Sequence, residues 1–387
     1  MRDDAAFQEW IDRAKAAPID EVASSLGAKL KRAGHELAGH CPAGCTTHGD
    51  GFSVHPKKGV FLCRPGGAQG SVIDLVMHIN GGDFMQACEF INGEPPPRGE
   101  SRPVDHDAAR DREKDRKEIA RIREDEHNRE QAKKRSAAEQ WFEAGAPIEG
   151  THAMAYLRAR GLDPSPARTF DLRFIESAKL YSGDVDPETG NPVLIGSYPC
   201  MVAAIRNVHG AIIGAHRTYL DPAKPRKLIL PDGQKAGKKI IGEVSGGVIW
   251  LSDPMPTVAC GEGIETTLAW SQLWTGGEVG LCAGVSLGNM AGGAKGTRPH
   301  PNPKLKRTIP NGEPDMSRPG MRLPPDVREI IILGDGDSDP ATTCAHLQTA
   351  GRRFKAEGVN PLVSMAPAGQ DWNDVLLASL REHAEAA

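Results

Sequence analysis

Three closely spaced aspartates follow a short apolar run near the end of the chain. The segment REIIILGDGDSDPA, residues 328–341, leads from three isoleucines and a leucine into Asp335, Asp337 and Asp339. Carboxylates at this spacing repel one another, and each raises the pKa of the others. Either a strand ends in an Asp-rich turn, which Gly and Asp favour, or a cation is held among the three side chains. These residues alone leave both interpretations open.

A second acidic site follows another predicted strand. The segment TVACGEG presents Glu262 after a strand that we expect to end at Cys260. In parallel α/β sheets, ligands bind beyond the carboxyl ends of the strands. If the two strands are neighbours, Glu262 meets Asp335 and Asp337 at one edge. Hard oxygen ligands of this kind suit Mg²⁺.

The elements that position these acids alternate between strand and helix from residue 246 to residue 387. This order predicts a parallel sheet with right-handed crossovers. The predicted strands and helices include VIWL, TVACGEG, IETTLAWSQLW, VGLCAG, EIIILGDGD, ATTCAHLQTAGRRFKAEG, NPLVSMAP and QDWNDVLLASLREH. A segment rich in Pro, Gly and basic residues, about 291–325, interrupts the alternation, and we expect it to be a surface loop.

The segments GEGIETT and ILGDGDSDPA, with GQDWNDVLL after them, resemble the Toprim domain of primases, topoisomerases and related nucleases. The last segment is similar to the closing motif of Toprim domains in phage- and plasmid-type primases. The resemblance spans about 246–380 and implies a Rossmann-like parallel sheet. It implies that Glu262, Asp335 and Asp337 are catalytic and bind Mg²⁺ or Mn²⁺. Three further acids have weaker predicted roles: Asp339 as an auxiliary ligand or a helix cap, and Asp371 and Asp374 as auxiliary acids.

Cysteine and histidine residues cluster in a Gly-rich segment near the start of the chain. In GHCPAGCTTHGDGFSVHPKKGVFLC, a tetrahedral zinc set can be drawn from Cys41, Cys45, His48 and Cys63. A small module with little core of its own needs such a metal. Unliganded thiols in a loop-rich region are the alternative.

This segment resembles the zinc-ribbon domain, of CHC2 type, at the N-terminus of bacterial and phage primases. The matching features are CP, FSV, GVFLC and GSVIDLV. The family usually has a second Cys three residues after the position of Cys63, where this chain has Gly66. We therefore expect the fourth ligand from the first half of the module, with Cys45 and His48 together, or else His40. The resemblance implies binding of single-stranded template, for which Lys57, Lys58 and Arg64 could contact phosphates, although exposed lysines are often only solubilising.

A basic segment separates the two modules. Residues 205–242 carry eight Lys or Arg against two Asp, a net +6 in a chain of net charge -4. Such a patch suits a polyanion, although a solvated loop would have the same composition. Tyr219 is a candidate for base stacking. With YPCMVAAIRNVHGAIIGAHRTYLD, the segment resembles the N-terminal lobe of the polymerase core in mobile-element primases, which implies phosphate contacts from Arg217, Lys227, Lys238 and Lys239.

These segments predict an α/β protein of four parts. We expect N-terminal helices and the zinc ribbon at 1–95, a charged helical linker at 96–140, an α+β basic lobe at 141–245 and the Toprim domain at 246–387. Residues 100–135 hold 12 basic and 11 acidic side chains, and Glu130 and Lys134 have helix-stabilising spacing. Few apolar residues lie in this linker, so we expect a solvated helix.

The composition excludes several classes of protein. The longest apolar runs are too short for a membrane span, and the acidic start does not resemble a signal peptide, so we expect a cytoplasmic chain without membrane association. The 8 cysteines are then thiols or metal ligands rather than disulfides. The segment GQKAGKK lacks the spacing of a phosphate-binding P-loop, so we expect any helicase to be a separate chain.

The order of zinc module, basic lobe and Toprim domain is that of a primase. We expect synthesis of short RNA primers on single-stranded DNA from ribonucleoside triphosphates, by metal-dependent nucleotidyl transfer. Two alternatives use the same residues. A Toprim nuclease would use the same acids to activate a water molecule for cleavage. A non-catalytic accessory protein would bind single-stranded DNA without synthesis.

Overall fold

The computed structural model describes residues 4–45, 51–64, 66–97, 106–163, 171–186, 189–231, 233, 236 and 239–386. The chain forms two compact units. The first comprises Met1–Arg123 with Tyr181–Leu194, and the second comprises Glu124–Leu180 with Ile195–Ala387. Among the described helices, none combines the length and the hydropathy that crossing a bilayer requires.

The first unit contains a five-stranded antiparallel sheet with helices packed on it. The strands, in the order β1-β2-β3-β4-β5, are β1 (Leu30–Ala33), β2 (Glu36–Gly39), β3 (Phe52–His55), β4 (Val60–Cys63) and β5 (Ala68–Gly70). The packed helices are α1 (Asp4–Ala16), α2 (Ile19–Ser25), α3 (Val72–Asn80) and α4 (Phe84–Asn92). The hairpin expected from FSVHPKKGVFL is β3 paired antiparallel with β4.

Helix α3 is fixed at its start and along one face. The Ser71 backbone N–H and hydroxyl both donate to Asp74 Oδ2, at 2.8 and 2.7 Å, which stabilises the first turn. Leu75 and Val76 of α3 are buried in a core that also contains Trp10 and Phe52. Burial of this apolar face sets which side chains α3 presents to the sheet.

A long charged helix, α5 (His106–Glu143), begins in the first unit and ends in the second. In agreement with the expected spacing, Lys134 pairs with Glu130 at 2.8 Å. The following elements are α6 (His152–Ala159), β6 (Leu172–Val185), β7 (Pro192–Arg206), β8 (Ile212–Tyr219) and β9 (Lys239–Gly242). The four strands form one sheet in the order β6-β7-β8-β9, and β8 pairs antiparallel with both β7 and β9.

The second unit also contains the strands that were expected after residue 246. Their sheet has the order β10-β12-β11-β15-β16, with β10 antiparallel and the other four parallel. The strands are β10 (Ile249–Trp250), β11 (Thr257–Gly261), β12 (Gly280–Ala283), β15 (Glu329–Gly334) and β16 (Asn360–Met365). The helices are α7 (Ile264–Leu273), α8 (Leu287–Ala291), α9 (Pro340–Ala356) and α10 (Trp372–Ala386).

Both faces of this parallel sheet are covered, which explains the unbroken apolar run in β15. Ile331 points into a core shared with Leu268 of α7 and Leu376 of α10. Ile332, one residue later, points into a separate core that includes Leu347 and Phe354 of α9. Successive strand residues face opposite sides of the sheet. Because both sides are buried here, the consecutive buried residues of β15 must all be apolar.

The segment around 291–325 is more ordered than the expected surface loop. It contains an antiparallel pair, β13 (Thr297–Pro299) with β14 (Thr308–Pro310), and a 3₁₀ turn at Pro303–Leu305. Ile309 of β14 is buried. The expected surface loop therefore contains a regular strand pair, which one buried isoleucine anchors in a segment of loop-like composition.

Candidate metal centre and acidic edge

Three cysteines and one histidine converge in the first unit. The ligand atoms of Cys41, Cys45, Cys63 and His78 all lie within 4.8 Å of one another. Cys41 follows β2, Cys45 lies in the next turn, Cys63 ends β4 and His78 lies in the last turn of α3. The His78 ring also stacks on Phe61, with centroids 5.6 Å apart, which fixes the orientation of the imidazole.

The spacing of these atoms matches a tetrahedral zinc site. With Zn–S bonds of about 2.3 Å and a Zn–N bond of about 2.0 Å, tetrahedral geometry separates two sulfurs by about 3.8 Å and a sulfur from a nitrogen by about 3.5 Å. Cys41 Sγ lies 3.7 Å from Cys45 Sγ. His78 Nε2 lies 3.6 Å from Cys45 Sγ and 3.3 Å from Cys41 Sγ. The residues therefore fit a Zn²⁺ ion.

Burial shifts the pKa values of three of these groups. Burial and the neighbouring thiols raise the pKa of Cys63 to about 12, and burial also raises the pKa of Cys45. Burial lowers the pKa of His78, so the imidazole is neutral and can offer a lone pair. Cysteines in such a place bind as thiolates only where a cation stabilises their charge, which a Zn²⁺ ion would do.

Gly66 shows why a histidine completes this cluster. A Cβ atom at Gly66 would lie 2.8 Å from Cys45 Sγ, 2.8 Å from His78 Cε1 and 3.1 Å from Cys63 Sγ. The position where related zinc ribbons have a cysteine thus faces the ligand atoms, and the His78 ring fills the space that its side chain would need. The missing side chain makes room for the imidazole.

His78 is not among the ligands predicted from the sequence. The fourth ligand was expected from the first half of the module, whereas α3 supplies it among the described residues. His48, the predicted ligand, lies outside the described residues. The absence of a cysteine at Gly66 was the available signal that a ligand had to come from elsewhere, but no motif spacing links Cys63 to a histidine fifteen positions later.

The predicted acids of the second unit follow two adjacent strands. β11 and β15 pair in parallel with Cys260 opposite Ile332. Glu262 and Gly334 each lie two residues further on, so Glu262 is level with the residue just before Asp335. The Glu262 and Asp335 side chains are half-buried, whereas the Asp337 side chain is exposed. The two strands are therefore neighbours, as the prediction required, and a shared metal site of Glu262, Asp335 and Asp337 stays a prediction.

Asp335 is under electrostatic strain. Burial raises the pKa of Asp335 to about 6, and the charges of Asp371 and Asp337 add to this, against hydrogen bonds from the Thr266 hydroxyl and the Trp372 backbone N–H. The Thr266 hydroxyl donates to Oδ2 at 3.2 Å. Oδ1 is buried and has no hydrogen-bond partner among the described residues. An unpartnered carboxylate oxygen among like charges fits a divalent cation.

The acids alone do not form a closed cage. Within the described part of the chain, the Cys–His cluster is the one group of three or more such residues whose ligand atoms all lie within 4.8 Å. Mg²⁺ rarely needs a closed protein cage, because it keeps several waters and is held by one or two carboxylates together with substrate phosphates. The open acidic edge suits that mode of binding.

A close backbone approach holds Asp335 and Asp337 in place. The Gly336 N–H donates to the Gln370 carbonyl at 2.9 Å, and the Gly369 N–H donates to the Gly336 carbonyl at 2.8 Å. A Cβ atom at Gly336 would collide with the Pro367 carbonyl oxygen. Glycine is therefore required between the two aspartates, since only glycine lets the loop after β15 lie directly against the loop after β16.

The three auxiliary acids form helix caps. Asp371 Oδ1 accepts from the Asp374 N–H at 2.7 Å and Asp374 Oδ2 accepts from the Asp371 N–H at 3.2 Å, a reciprocal capping box for α10. Asp339 caps α9, and its Oδ2 accepts from the Thr342 N–H, His300 and Arg307 at 2.9, 2.9 and 3.0 Å. These donors lower the pKa of Asp339, the Thr342 contacts most. A metal-binding role for Asp339, Asp371 or Asp374 stays a prediction.

Lys227 forms an ion pair with Glu265, which was not among the predicted site residues. Its Nζ lies 2.8 Å from Glu265 Oε1, with the side chains 32% and 13% exposed. The Tyr156 hydroxyl donates to the same oxygen at 2.7 Å. Burial alone would raise the pKa of Glu265, but Lys227 and Tyr156 hold it well below its ordinary value. Glu265 lies one residue before Thr266, so this network fixes the turn that contacts Asp335.

The remaining predicted basic residues differ in their surroundings. The Arg217 guanidinium lies 4.6 Å above the Trp141 ring, and Arg217 is directly opposite Lys239 across β8 and β9. Like charges directly opposite one another are unfavourable, and a phosphate contact from this pair stays a prediction. Lys238 lies outside the described residues. Tyr219 is 2% exposed and donates to the Lys179 carbonyl, so the prediction that it stacks on a base is wrong.

Comparisons with known proteins identify one module clearly. Residues 7–94 match the family described as CHC2 zinc finger, and this match together with the Cys–His cluster supports zinc in the first unit. Residues 132–251 match a domain of unknown function, DUF7146. No functionally curated protein matches the sequence.

Solved structures show a more distant likeness. The chain resembles the zinc-binding and RNA polymerase domains of the Aquifex aeolicus primase at 18% identity, over 97% of this chain and 84% of that one, with a TM-score of 0.36. It resembles the RNA polymerase domain of the Mycobacterium tuberculosis primase DnaG at 19% identity, over 66% and 82% of the two chains, with a TM-score of 0.35. These TM-scores are too low to establish a shared fold.

Proposed function

We propose that this chain is a DNA primase that joins ribonucleotides into short RNA primers on a single-stranded DNA template. The observation that carries the proposal is the half-buried Asp335 carboxylate, whose Oδ1 has no hydrogen-bond partner in the described part of the chain. Asp335 follows β15, as does Asp337, and Glu262 follows the neighbouring β11. The CHC2 zinc finger supports it, since the sequence resemblance links that module to template binding in primases. The partners are template and ribonucleoside triphosphates, with a separate helicase supplying unwound DNA.

The acidic edge has the features that nucleotidyl transfer requires. Glu262, Asp335 and Asp337 would hold the divalent ion, Mg²⁺ or Mn²⁺. The ion would stabilise charge on the phosphates and activate the attacking 3′-hydroxyl. Thr266 and the α10 N-terminus fix the Asp335 carboxylate before substrate arrives, so little reorganisation remains at the moment of reaction.

The other residues act by binding and positioning. Cys41, Cys45, Cys63 and His78 would hold Zn²⁺ and stabilise the first unit. Arg217 and Lys239, whose charges face one another, would contact phosphates of nucleotide or template. Lys227 is occupied by Glu265, so its role is to hold the first turn of α7 rather than to bind substrate directly.

Primer synthesis from labelled ribonucleotides on single-stranded DNA tests this function. We expect Mg²⁺- or Mn²⁺-dependent products from the wild-type chain and none from Asp335→Asn/Asp337→Asn. Glu278→Gln/Glu382→Gln is the matched control, because it removes two exposed charges elsewhere and should retain synthesis. Template cleavage without synthesis would indicate a nuclease, and template binding with neither activity would indicate an accessory protein.

A further inference from the structure

The segment between α8 and β15 carries a concentrated positive charge. We call residues 292–312 the basic hairpin; they comprise β13, β14 and the turn that joins them. This segment has no Asp or Glu, and its cations are Lys295, Arg298, Lys304, Lys306 and Arg307. A net +5 over so few residues exceeds what solubility requires of one surface loop.

The basic hairpin is held firmly on the second unit. His300 Nε2 lies 2.9 Å from Asp339 Oδ2, and the Arg307 guanidinium donates to the same oxygen at 3.0 Å and to the Thr342 hydroxyl at 3.1 Å. Ile309 is buried, and Arg352 donates to the Gly312 carbonyl at 3.0 Å. The cations are therefore presented from a fixed position rather than from a freely moving loop.

Four of these cations are exposed and form no ion pair among the described residues: Lys295, which precedes β13, and three in β13 and the turn after it. The latter three are Arg298, Lys304 and Lys306. By contrast, Arg307 is paired with Asp339 and Arg318 with Asp315. Exposed cations without counterions create a local positive potential that attracts polyanions.

The position of the basic hairpin relates it to the acidic edge. Asp339, to which His300 and Arg307 of the basic hairpin bind, lies two residues after Asp337 along the chain and caps the N-terminus of α9. The acids at the edge repel phosphates, so an anionic strand needs nearby cations to approach them. The fixed cations of the basic hairpin supply that compensation beside the acids.

We propose that the basic hairpin binds the phosphate backbone of the nucleic-acid strand on which the acidic edge acts. The identity of that strand as template or primer rests on the proposed function. A strand is favoured over a nucleotide because Arg298 lies in β13 while Lys304 and Lys306 lie in the connecting turn, so the three cations can each neutralise a separate phosphate.

Salt-dependent binding of a fluorescein-labelled oligodeoxythymidylate, followed by anisotropy, tests the inference. The variant is Arg298→Gln/Lys304→Gln/Lys306→Asn, with asparagine at Lys306 because its φ of 42° is left-handed. The matched control is Arg158→Gln/Lys355→Gln/Arg381→Gln, which removes three exposed charges elsewhere in the second unit. Thermal unfolding of both is compared with wild type, and Lys304→Gln/Lys306→Asn is the second variant should the triple variant fail to fold.

The expected result follows from counterion release. Each phosphate contact contributes about 0.7 to the slope of log K against log salt on a single strand, so three lost contacts reduce the slope by about 2. This corresponds to about 10²-fold weaker binding at low salt. The control should keep the wild-type slope, and ATP affinity should be unchanged in both.

Three outcomes would overturn the inference. Equal slopes for the hairpin variant and the control would show that the hairpin does not contact the strand. A loss confined to ATP affinity would show that the cations bind a nucleoside triphosphate rather than a strand. Absence of oligonucleotide binding by the wild-type chain would also overturn it, whereas primer synthesis decides the proposed function in a separate assay.

Discussion

Replacing His78 by alanine removes one of the four ligand atoms that converge in the CHC2 module. Structural zinc sites contribute about 10–16 kcal/mol of binding free energy. Divided over four ligands, that is about 2.5–4 kcal/mol each, or a zinc dissociation constant about 10²–10³-fold higher. We therefore expect His78→Ala to lose zinc to a chromogenic chelator at concentrations that leave the wild-type chain loaded.

Two further variants sharpen this test. His48→Ala removes the ligand that the sequence analysis predicted, and we expect it to keep wild-type zinc affinity. In the His78→Ala background, Gly66→Cys places a thiol where the Cβ position faces Cys45 and Cys63, and we expect it to recover much of the lost affinity. Wild-type zinc affinity in His78→Ala, together with loss in His48→Ala, would refute the assignment of His78.

Three other predictions concern the second unit. Lys227→Met leaves Glu265 charged and without its cation. We expect the unfolding free energy to fall by about 2–3 kcal/mol, less than for a fully buried pair because the lysine side chain is a third exposed. Adding Glu265→Gln should restore most of this loss, and calorimetry that shows no restoration would contradict the ion pair. The pKa of Asp335 in the folded chain, about 6, lies above its ordinary value, so ionisation of Asp335 lowers the unfolding free energy, and the wild type regains that stability as the pH falls from 7 towards 4. Without divalent metal, Asp335→Asn should be about 2 kcal/mol more stable than wild type at pH 7 and should lack this pH dependence. A variant less stable than wild type would contradict the raised pKa. Gly336→Ala forces the loop away from Pro367, so we expect primer synthesis to fall about 10²-fold with zinc content unchanged, whereas normal synthesis would show that the close approach is not needed.

The acidic edge could be predicted from sequence because it depends on local rules. Strand and helix alternate from residue 246 onward, and each acid directly follows a strand. In a parallel sheet those positions come to one edge. The pairing of β11 with β15 then followed from a resemblance, since no residue in either strand specifies its neighbour.

Other parts depended on contacts between distant residues. His78 lies on a helix and reaches the cysteines only because α3 packs its apolar face on the sheet. Lys227 is paired with Glu265, 38 positions away in the sequence, so composition alone showed its charge but not its partner. Asp339 has the type and spacing of a metal ligand, and only the structure shows His300 and Arg307 at its carboxylate.

A change of metal preference at Asp335 tests the central claim most directly. Relative to a carboxylate, a thiolate favours Mn²⁺ over Mg²⁺, and it favours the soft ion Cd²⁺ more strongly still. If Asp335 holds the metal for nucleotidyl transfer, Asp335→Cys should lose primer synthesis with Mg²⁺ and recover part of it with Mn²⁺ or Cd²⁺, while Asp335→Ala recovers none. Equal loss in both variants with every metal, or full Mg²⁺-dependent synthesis by Asp335→Ala, would contradict the account.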